Sequence, residues 1–187
     1  MISDDDLRML DLATEEFERA LRRDGAIGSA PSRCEGWSTR EVANHVLGGA
    51  VRYTLYFSGA DPVKIAESRT ADHLGDDAVE SHRTLSAALR QEFVEHRDDG
   101  IVLPHLIADV DAPTLLVMRV QELVLHSWDI VSVFEPDTRL DPALCRFLLD
   151  RGTEVRAMLR SHGALGPVST SADTGLTARV LAAWGRT

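Results

Sequence analysis

The stretch Arg119–Ile130, RVQELVLHSWDI, lies in one of the most apolar parts of the chain, with APTLLVM before it and VSVF after it. Apolar positions recur at steps of three and four, which predicts a largely buried helix over about residues 112–133. The same helical face carries a carboxylate, Glu122, and an imidazole, His126, four residues apart. An unpaired buried carboxylate is very costly, so Glu122 must be paired, protonated or bound to a metal.

Helical spacing of apolar residues also marks four other segments: about residues 4–23, from about residue 39 onward, about 76–95 and about 142–160. Ser38 followed by Glu41 fits a capping box at the start of the second of these, and Pro142 suits the first turn of the last. A short amphipathic piece lies near residues 176–184, and strand-type alternation is scarce. The sequence therefore predicts an all-α helical bundle, with residues 1–187 as a single domain.

Composition excludes several classes of function. The formal net charge of −10 disfavours a nucleic-acid partner or an anionic membrane surface, since both require positive charge. No run approaches the roughly 18 apolar residues that span a bilayer. The acidic start, MISDDDLRML, does not resemble a secretory signal, so a cytoplasmic location is expected. Two cysteines, Cys34 and Cys145, are too few for a disulfide framework.

Glu122 and His126 lie one helical turn apart, so both could bind one divalent ion. A third ligand could come from His45 in REVANHVLGG, on the second helix, where two glycines allow close approach. Two histidines and a carboxylate would leave a fourth position open for water or substrate. From spacing alone, a helix ion pair with Arg119 or His126 and an ordinary packed His45 are the more frequent outcomes.

Two motifs together resemble a known family. PSRCEGWSTREVANHVLGG, residues 31–49, is similar to the N-terminal signature of the DinB-like superfamily, in the branch of the mycothiol-dependent maleylpyruvate isomerase N-terminal domain. The pattern Glu-x-x-x-His-x-Trp-Asp of that branch matches Glu122, His126, Trp128 and Asp129. The resemblance runs from the first helix to the fifth. It implies a DinB-like four-helix bundle with an additional C-terminal helix, and a divalent metal held by His45, Glu122 and His126.

The resemblance also implies an activity. In the family the metal, commonly zinc, activates a low-molecular-weight thiol such as mycothiol, which acts on a small electrophilic substrate; metal coordination deprotonates a thiol. A metal-dependent thiol S-transferase or isomerase is therefore expected, with mycothiol as co-substrate. A non-catalytic metal- or ligand-binding protein and a metal-dependent hydrolase are the alternatives. Nickel, iron or manganese also suit this donor set. The resemblance allows a homodimer and leaves the oligomeric state open.

The isomerase carries a further C-terminal domain that helps to complete its active site. We expect this chain, which runs to Thr187, to lack that domain and to belong with the short metal-binding members of the branch. Maleylpyruvate is then not the expected substrate. The near absence of lysine, with Lys64 as the one example, fits the GC-rich actinobacteria in which mycothiol occurs.

Residues around the three ligands have two interpretations each. Arg52 and Tyr53 are predicted to bind the thiol or substrate. A solvated side chain is the simpler interpretation of Arg52, and a core position is an equal alternative for Tyr53 and Tyr56. Asp129 could accept from a ligand histidine, pair with an arginine or cap a backbone group, and Arg119 is another candidate neighbour of the ligands.

Other residues of the two motifs have structural interpretations. Trp37 and Trp128 are expected to pack the ligand helices together, Cys34 to be a small turn residue and Cys145 a core residue. Outside the predicted site, the polar surroundings of four histidines predict that they are solvated: His73, His82, His96 and His162. His105 lies in a loop that could reach the site.

Overall fold

The structure, a computed structural model, describes residues 1–169 and 173–186. Within these ranges the chain forms helices and one small antiparallel sheet. The helices are α1 (Asp4–Arg22), α2 (Thr39–Phe57), α3 (Pro62–Glu67), α4 (Ala78–Glu95), α5 (Ala112–Val131), α6 (Pro142–Arg151), α7 (Thr153–Ser161) and α8 (Leu176–Ala183). The strands are β1 (Val102–Leu103) and β2 (Val110–Asp111).

The four long helices α1, α2, α4 and α5 pack into a bundle, as the sequence predicts. The apolar helix α5 is central, because it contacts α1 and α2 in the bundle and also α6 and α7. Most of its residues are buried, including Arg119, Glu122 and Asp129. The polar groups noted in the sequence therefore lie inside the molecule.

Local sequence signals fix where these helices begin. Ser38 and Glu41 form the predicted capping box of α2, with Ser38 Oγ accepting from the Glu41 N–H at 3.2 Å. Asp111 caps α5 by accepting from the Thr114 N–H at 2.9 Å. These caps satisfy N–H groups that have no partner within the helix, so they set the start of each ligand-bearing helix.

Three features differ from the sequence prediction. The single helix expected over residues 142–160 is broken at Gly152 into α6 and α7, whereas the piece predicted near residues 176–184 is present as α8. The short helix α3 and the two-residue strands β1 and β2 were not predicted, because segments of this length are too short to show periodicity. None of the described helices is long and apolar enough to span a membrane.

The prediction that His82 is solvated was wrong. Its side chain on α4 is fully buried, with its ring 5.2 Å from the ring of Phe17 on α1. His82 Nε2 donates to the Thr14 carbonyl at 3.1 Å, so the imidazole has a partner inside the bundle. His162, by contrast, is exposed as predicted.

Candidate metal centre

α2 and α5 bring the three predicted ligands to one cavity. His45 Nε2 lies 3.2 Å from Glu122 Oε1. The rings of His45 and His126 are 5.3 Å apart between centroids and nearly perpendicular, at 82°. All three side chains line a cavity of about 520 Å³ between the helices. The residues that the sequence singled out on two separate helices are therefore neighbours in space.

Glu122 is held as a carboxylate by its surroundings. Arg119 Nη1 donates to Glu122 Oε2 at 2.8 Å and to the Val46 carbonyl of α2, also at 2.8 Å. Burial alone would raise the pKa of Glu122, but the bond to His45 and the charge of Arg119 outweigh it and lower the pKa to about 2. Glu122 is thus ionised at neutral pH, with Oε1 directed to His45.

Gly49 explains why α2 can approach Glu122 so closely. A Cβ atom at Gly49 would lie 2.6 Å from Glu122 Oε2 and 2.8 Å from Oε1, shorter than any ordinary contact. The carboxylate therefore occupies the space that a larger residue would fill. The second glycine of the HVLGG segment is a direct requirement of the site geometry.

His126 uses one ring nitrogen for a hydrogen bond inside the protein. His126 Nδ1 lies 2.8 Å from Asp129 Oδ2, and Asp129 is fully buried. Burial lowers the pKa of His126, which favours the neutral ring. A neutral ring that donates from Nδ1–H keeps a free lone pair on Nε2, the form that binds a metal. Asp129 is thus the carboxylate partner of a predicted ligand, and it also pairs with an arginine, Arg186.

Cys34, in the turn before α2, joins this network. Its Sγ lies 3.2 Å from Asp129 Oδ2 and 3.7 Å from His126 Nδ1. Among the described residues, Cys34, His126 and Asp129 form the group whose potential metal-binding atoms all lie within 4.8 Å of one another; His45, Glu122 and His126 as a set do not meet that limit.

Hydrogen bonds connect the residues of the Cys34 group. Burial raises the pKa of the Cys34 thiol to about 12, so the sulfur keeps its proton and donates it to Asp129. Both oxygens of Asp129 already accept from Arg186, at 2.9 Å from Nε and 2.7 Å from Nη2. His45 and Glu122 line the cavity together with His126, as the other imidazole and the carboxylate of the predicted ligand set.

The predicted binding residues Arg52 and Tyr53 line the same cavity. Tyr53 and Tyr56 stack with their ring centroids 5.8 Å apart, and the ring of His105 lies 5.8 Å from each of them. Arg52 Nη2 donates to the His45 carbonyl at 3.4 Å. The loop between β1 and β2 thus brings His105 to the site, which the sequence left open.

The tryptophans occupy different positions. Trp128 is buried and packs beneath the guanidinium of Arg33, as expected of a core residue. Trp37 is 40% exposed, and its ring meets that of His45 at 5.1 Å, so it borders the cavity. Arg186 also lines the cavity and was missed from the sequence. It lies 57 residues beyond Asp129, outside both motifs, so no spacing could connect them.

Comparison with known proteins identifies a family for this chain. A family model of the mycothiol maleylpyruvate isomerase N-terminal domain matches residues 10–131. Uncharacterised proteins from two strains of Mycobacterium tuberculosis are 22% identical over 129 residues, which is 69% of this chain and 65% of theirs. The match therefore spans slightly less than two thirds of the length of these relatives.

Two solved structures share the fold. The crystal structure of the mycothiol-dependent maleylpyruvate isomerase has a TM-score of 0.62 and 23% identity, and covers 88% of this chain and 73% of that one. A histidine-to-alanine mutant of that isomerase has a TM-score of 0.63 and 22% identity, with the same coverage. The structural likeness confirms the predicted bundle. Because the family model spans more than half of its residues, the chain belongs to the mycothiol maleylpyruvate isomerase N-terminal domain family.

Proposed function

We propose that this protein binds a divalent metal, with zinc as the first choice, through His45, Glu122 and His126, and that it is a mycothiol-dependent isomerase or S-transferase acting on a small electrophile. One observation carries the proposal. The contact with Asp129 takes up Nδ1 of His126, which leaves Nε2 as the remaining ligand atom of the ring, and His126 lines the same cavity as the His45–Glu122 pair. The family of the chain supports the thiol, because the solved member is described as mycothiol-dependent.

The donor set suits zinc. Two imidazoles and a carboxylate are a common catalytic zinc set, and three protein ligands leave a further position for a substrate atom. When bound, such an ion supplies Lewis acidity that favours the deprotonated, nucleophilic form of a thiol. The protein residues supply the rest: Arg119 holds Glu122 in place, and Asp129 fixes the tautomer of His126.

The cavity supports a small substrate with negative charge. Its volume of about 520 Å³ falls in the range of small-molecule sites, roughly 300–1,000 Å³. Three arginines line it, Arg52, Arg69 and Arg186, although the whole chain carries a net charge of −10. Arg186 is paired with Asp129, so Arg52 and Arg69 are the arginines that we expect to meet the substrate. Tyr53 and Met118 provide apolar wall beside them. An electrophile that carries a carboxylate fits this combination.

Metal content tests the site. After incubation with zinc and dialysis, we expect the purified protein to hold zinc in a stoichiometric amount. The variants His45→Ala and Glu122→Gln should hold much less zinc after the same treatment. His162→Ala is the matched control, because that histidine is exposed and lies outside the cavity. Unchanged zinc content in both site variants would refute the proposed ligands.

Thiol binding then tests the activity. Calorimetry should detect mycothiol binding to the zinc-loaded protein and much weaker binding to the chelator-treated protein. Mixing the zinc-loaded protein with mycothiol and a chromogenic electrophile should speed conjugation above the rate without protein, and maleylpyruvate should be tested beside it for isomerisation. If mycothiol binds but neither reaction is accelerated, the proposal of an enzyme is wrong and a non-catalytic binding protein is the better description. Equal binding with and without zinc would refute metal-assisted thiol use.

A further inference from the structure

Arg186 makes a two-point contact with the carboxylate that orients His126. Its Nε donates to Asp129 Oδ1 at 2.9 Å and its Nη2 donates to Oδ2 at 2.7 Å. Oδ2 is also the oxygen that lies 2.8 Å from His126 Nδ1. Parallel bonds from a guanidinium fix the plane of a carboxylate, which a single bond does not. The direction in which Asp129 faces His126 is thus set by Arg186.

The backbone around Arg186 is itself anchored. Trp184, fully buried, packs beneath the guanidinium of Arg156 at 5.4 Å. Gly185 follows with φ of +69°, a left-handed conformation that favours glycine and redirects the chain. The Arg186 N–H donates to the Leu181 carbonyl at 2.8 Å, and Ser169 Oγ donates to the Arg186 carbonyl at 2.6 Å. The backbone of Arg186 is therefore held in place by these contacts while its side chain bonds to Asp129.

We infer that Arg186 is a positioning residue for the metal site: by clamping Asp129 it holds the Nδ1–H tautomer of His126 and keeps Nε2 available as a ligand atom. The inference rests on the proposed function, since it assigns a role around the same ligand. It goes beyond the family match, which covers His126 and Asp129 but stops at residue 131. The segment 184–186 supplies this contact from outside the matched range.

A purely structural role for Arg186 makes a different prediction. Asp129 is fully buried, so any positive group beside it would offset the cost of burying its charge. Lysine would serve for that purpose, but its ammonium group cannot form the two parallel bonds of a guanidinium. Arg186→Lys therefore separates positioning from charge compensation.

The experiment is a measurement of the His126 tautomer by ¹H–¹⁵N NMR in the metal-free protein, together with zinc affinity by competition with a chromophoric chelator. We expect Nδ1–H to dominate in the wild type and a mixture of tautomers in Arg186→Met, with zinc binding weakened about 10- to 100-fold. Arg186→Lys should fall between the two in both measurements. Arg179→Met is the control, because Arg179 is exposed on α8 and does not line the cavity.

A wild-type tautomer and wild-type zinc affinity in Arg186→Lys would overturn the inference, and that outcome remains decisive even where Arg186→Met does not fold. The tautomer measurement needs no metal, so it separates the two proposals. If the wild type binds no zinc, the proposed function is wrong, while the tautomer measurement still tests the effect of the Arg186–Asp129 contact on His126. If the wild type binds zinc, and Arg186→Met and Arg186→Lys change neither the His126 tautomer nor the zinc affinity, only the positioning role of Arg186 is wrong.

Discussion

Gly49 is the residue on which the contact between the two ligand helices depends most directly. Replacing it with alanine would place Cβ 2.6 Å from Glu122 Oε2, so the carboxylate must leave its present position next to His45. We expect Gly49→Ala to weaken zinc binding at least tenfold, because a displaced ligand atom cannot complete the site. The measurement is zinc affinity by chelator competition on the folded variant.

Gly48→Ala is the natural control for this substitution. The same helix carries Gly48, but a Cβ there would meet the side chains of His73 and Arg52, at 2.9 and 3.0 Å, and not Glu122. Neither neighbour is a proposed zinc ligand, so zinc affinity should stay close to that of the wild type. Equal zinc affinity in both alanine variants would contradict the dependence on Gly49.

His82 should make the stability of the bundle depend on pH. Burial lowers its pKa from an ordinary value of 6.5 to about 4 in the folded protein. The unfolded chain therefore binds the proton first, so the stability contribution is complete above about pH 6.5 and is lost as pH falls toward 4. Between pH 7 and pH 5 this group should remove about 2 kcal/mol of unfolding free energy.

Urea unfolding of wild type and His82→Gln at the two pH values measures this contribution. A chelator should be present, since metal binding also depends on pH. The difference in unfolding free energy between the wild type and His82→Gln should shrink on acidification. The difference between the wild type and His162→Gln, a substitution at an exposed position, should be the same at both pH values. If the unfolding free energies of the wild type and His82→Gln change in parallel with pH, burial does not lower the pKa of His82.

The sequence predicted some of the residues that line the cavity and not others, for physical reasons. Helical spacing placed Glu122 and His126 on one face of α5, and the two motifs added His45. Spacing within one helix does not determine which side chains another helix covers, so the burial of His82 by α1 was not predicted. The pairing of Arg186 with Asp129 is a tertiary contact between distant segments, which no local pattern encodes.

At the scale of elements, periodicity predicted the long helices and failed at one break. The four bundle helices follow apolar spacing and begin at caps visible in the sequence, such as Ser38. The apolar pattern of residues 142–160 continues through Gly152, so it predicts one helix where the structure has α6 and α7. Gly152 lies against Trp184, and this packing, which periodicity cannot detect, accompanies the break.

Gly152→Ala should therefore destabilise the junction between α6 and α7. A Cβ atom there would lie 2.4 Å from the Leu148 carbonyl oxygen and 2.8 Å from Trp184 Cζ2, a buried ring with little room to move. Overpacking of this kind costs about 1–3 kcal/mol of unfolding free energy. Urea unfolding should show that loss, while Gly166→Ala, whose Cβ would have no neighbour within 4 Å, should change stability by less than about 0.5 kcal/mol. Equal stability of the two variants would contradict the packing role of Gly152.

At the scale of the whole molecule, the bundle and the segment after α8 both contribute to one site. α2 supplies His45, α5 supplies Glu122 and His126, and the chain beyond α8 supplies Arg186. A metal held between two bundle helices connects them, so its free energy of binding adds to the free energy of folding. Metal binding should then be visible as global stability.

Thermal unfolding tests this connection. An ion that binds only the folded state at 100 times its dissociation constant stabilises it by about 2.7 kcal/mol. For a domain of this size each kcal/mol raises Tm by about 2–4 °C, so zinc should raise Tm by roughly 5–10 °C over the chelator-treated protein. Calorimetric or fluorescence-monitored melting with zinc and with chelator measures the shift.

Glu122→Gln gives the matched comparison for this shift. Glutamine keeps the shape of the side chain but removes the charge that a divalent ion requires, so its Tm should be the same with zinc and with chelator. In the presence of chelator, the Tm of Glu122→Gln should be lower than that of the wild type, because Arg119, 1% exposed, loses its carboxylate partner. A zinc-dependent rise of the same size in wild type and Glu122→Gln would mean that the ion binds elsewhere, whereas no rise in either would mean that the bundle is equally stable without a metal.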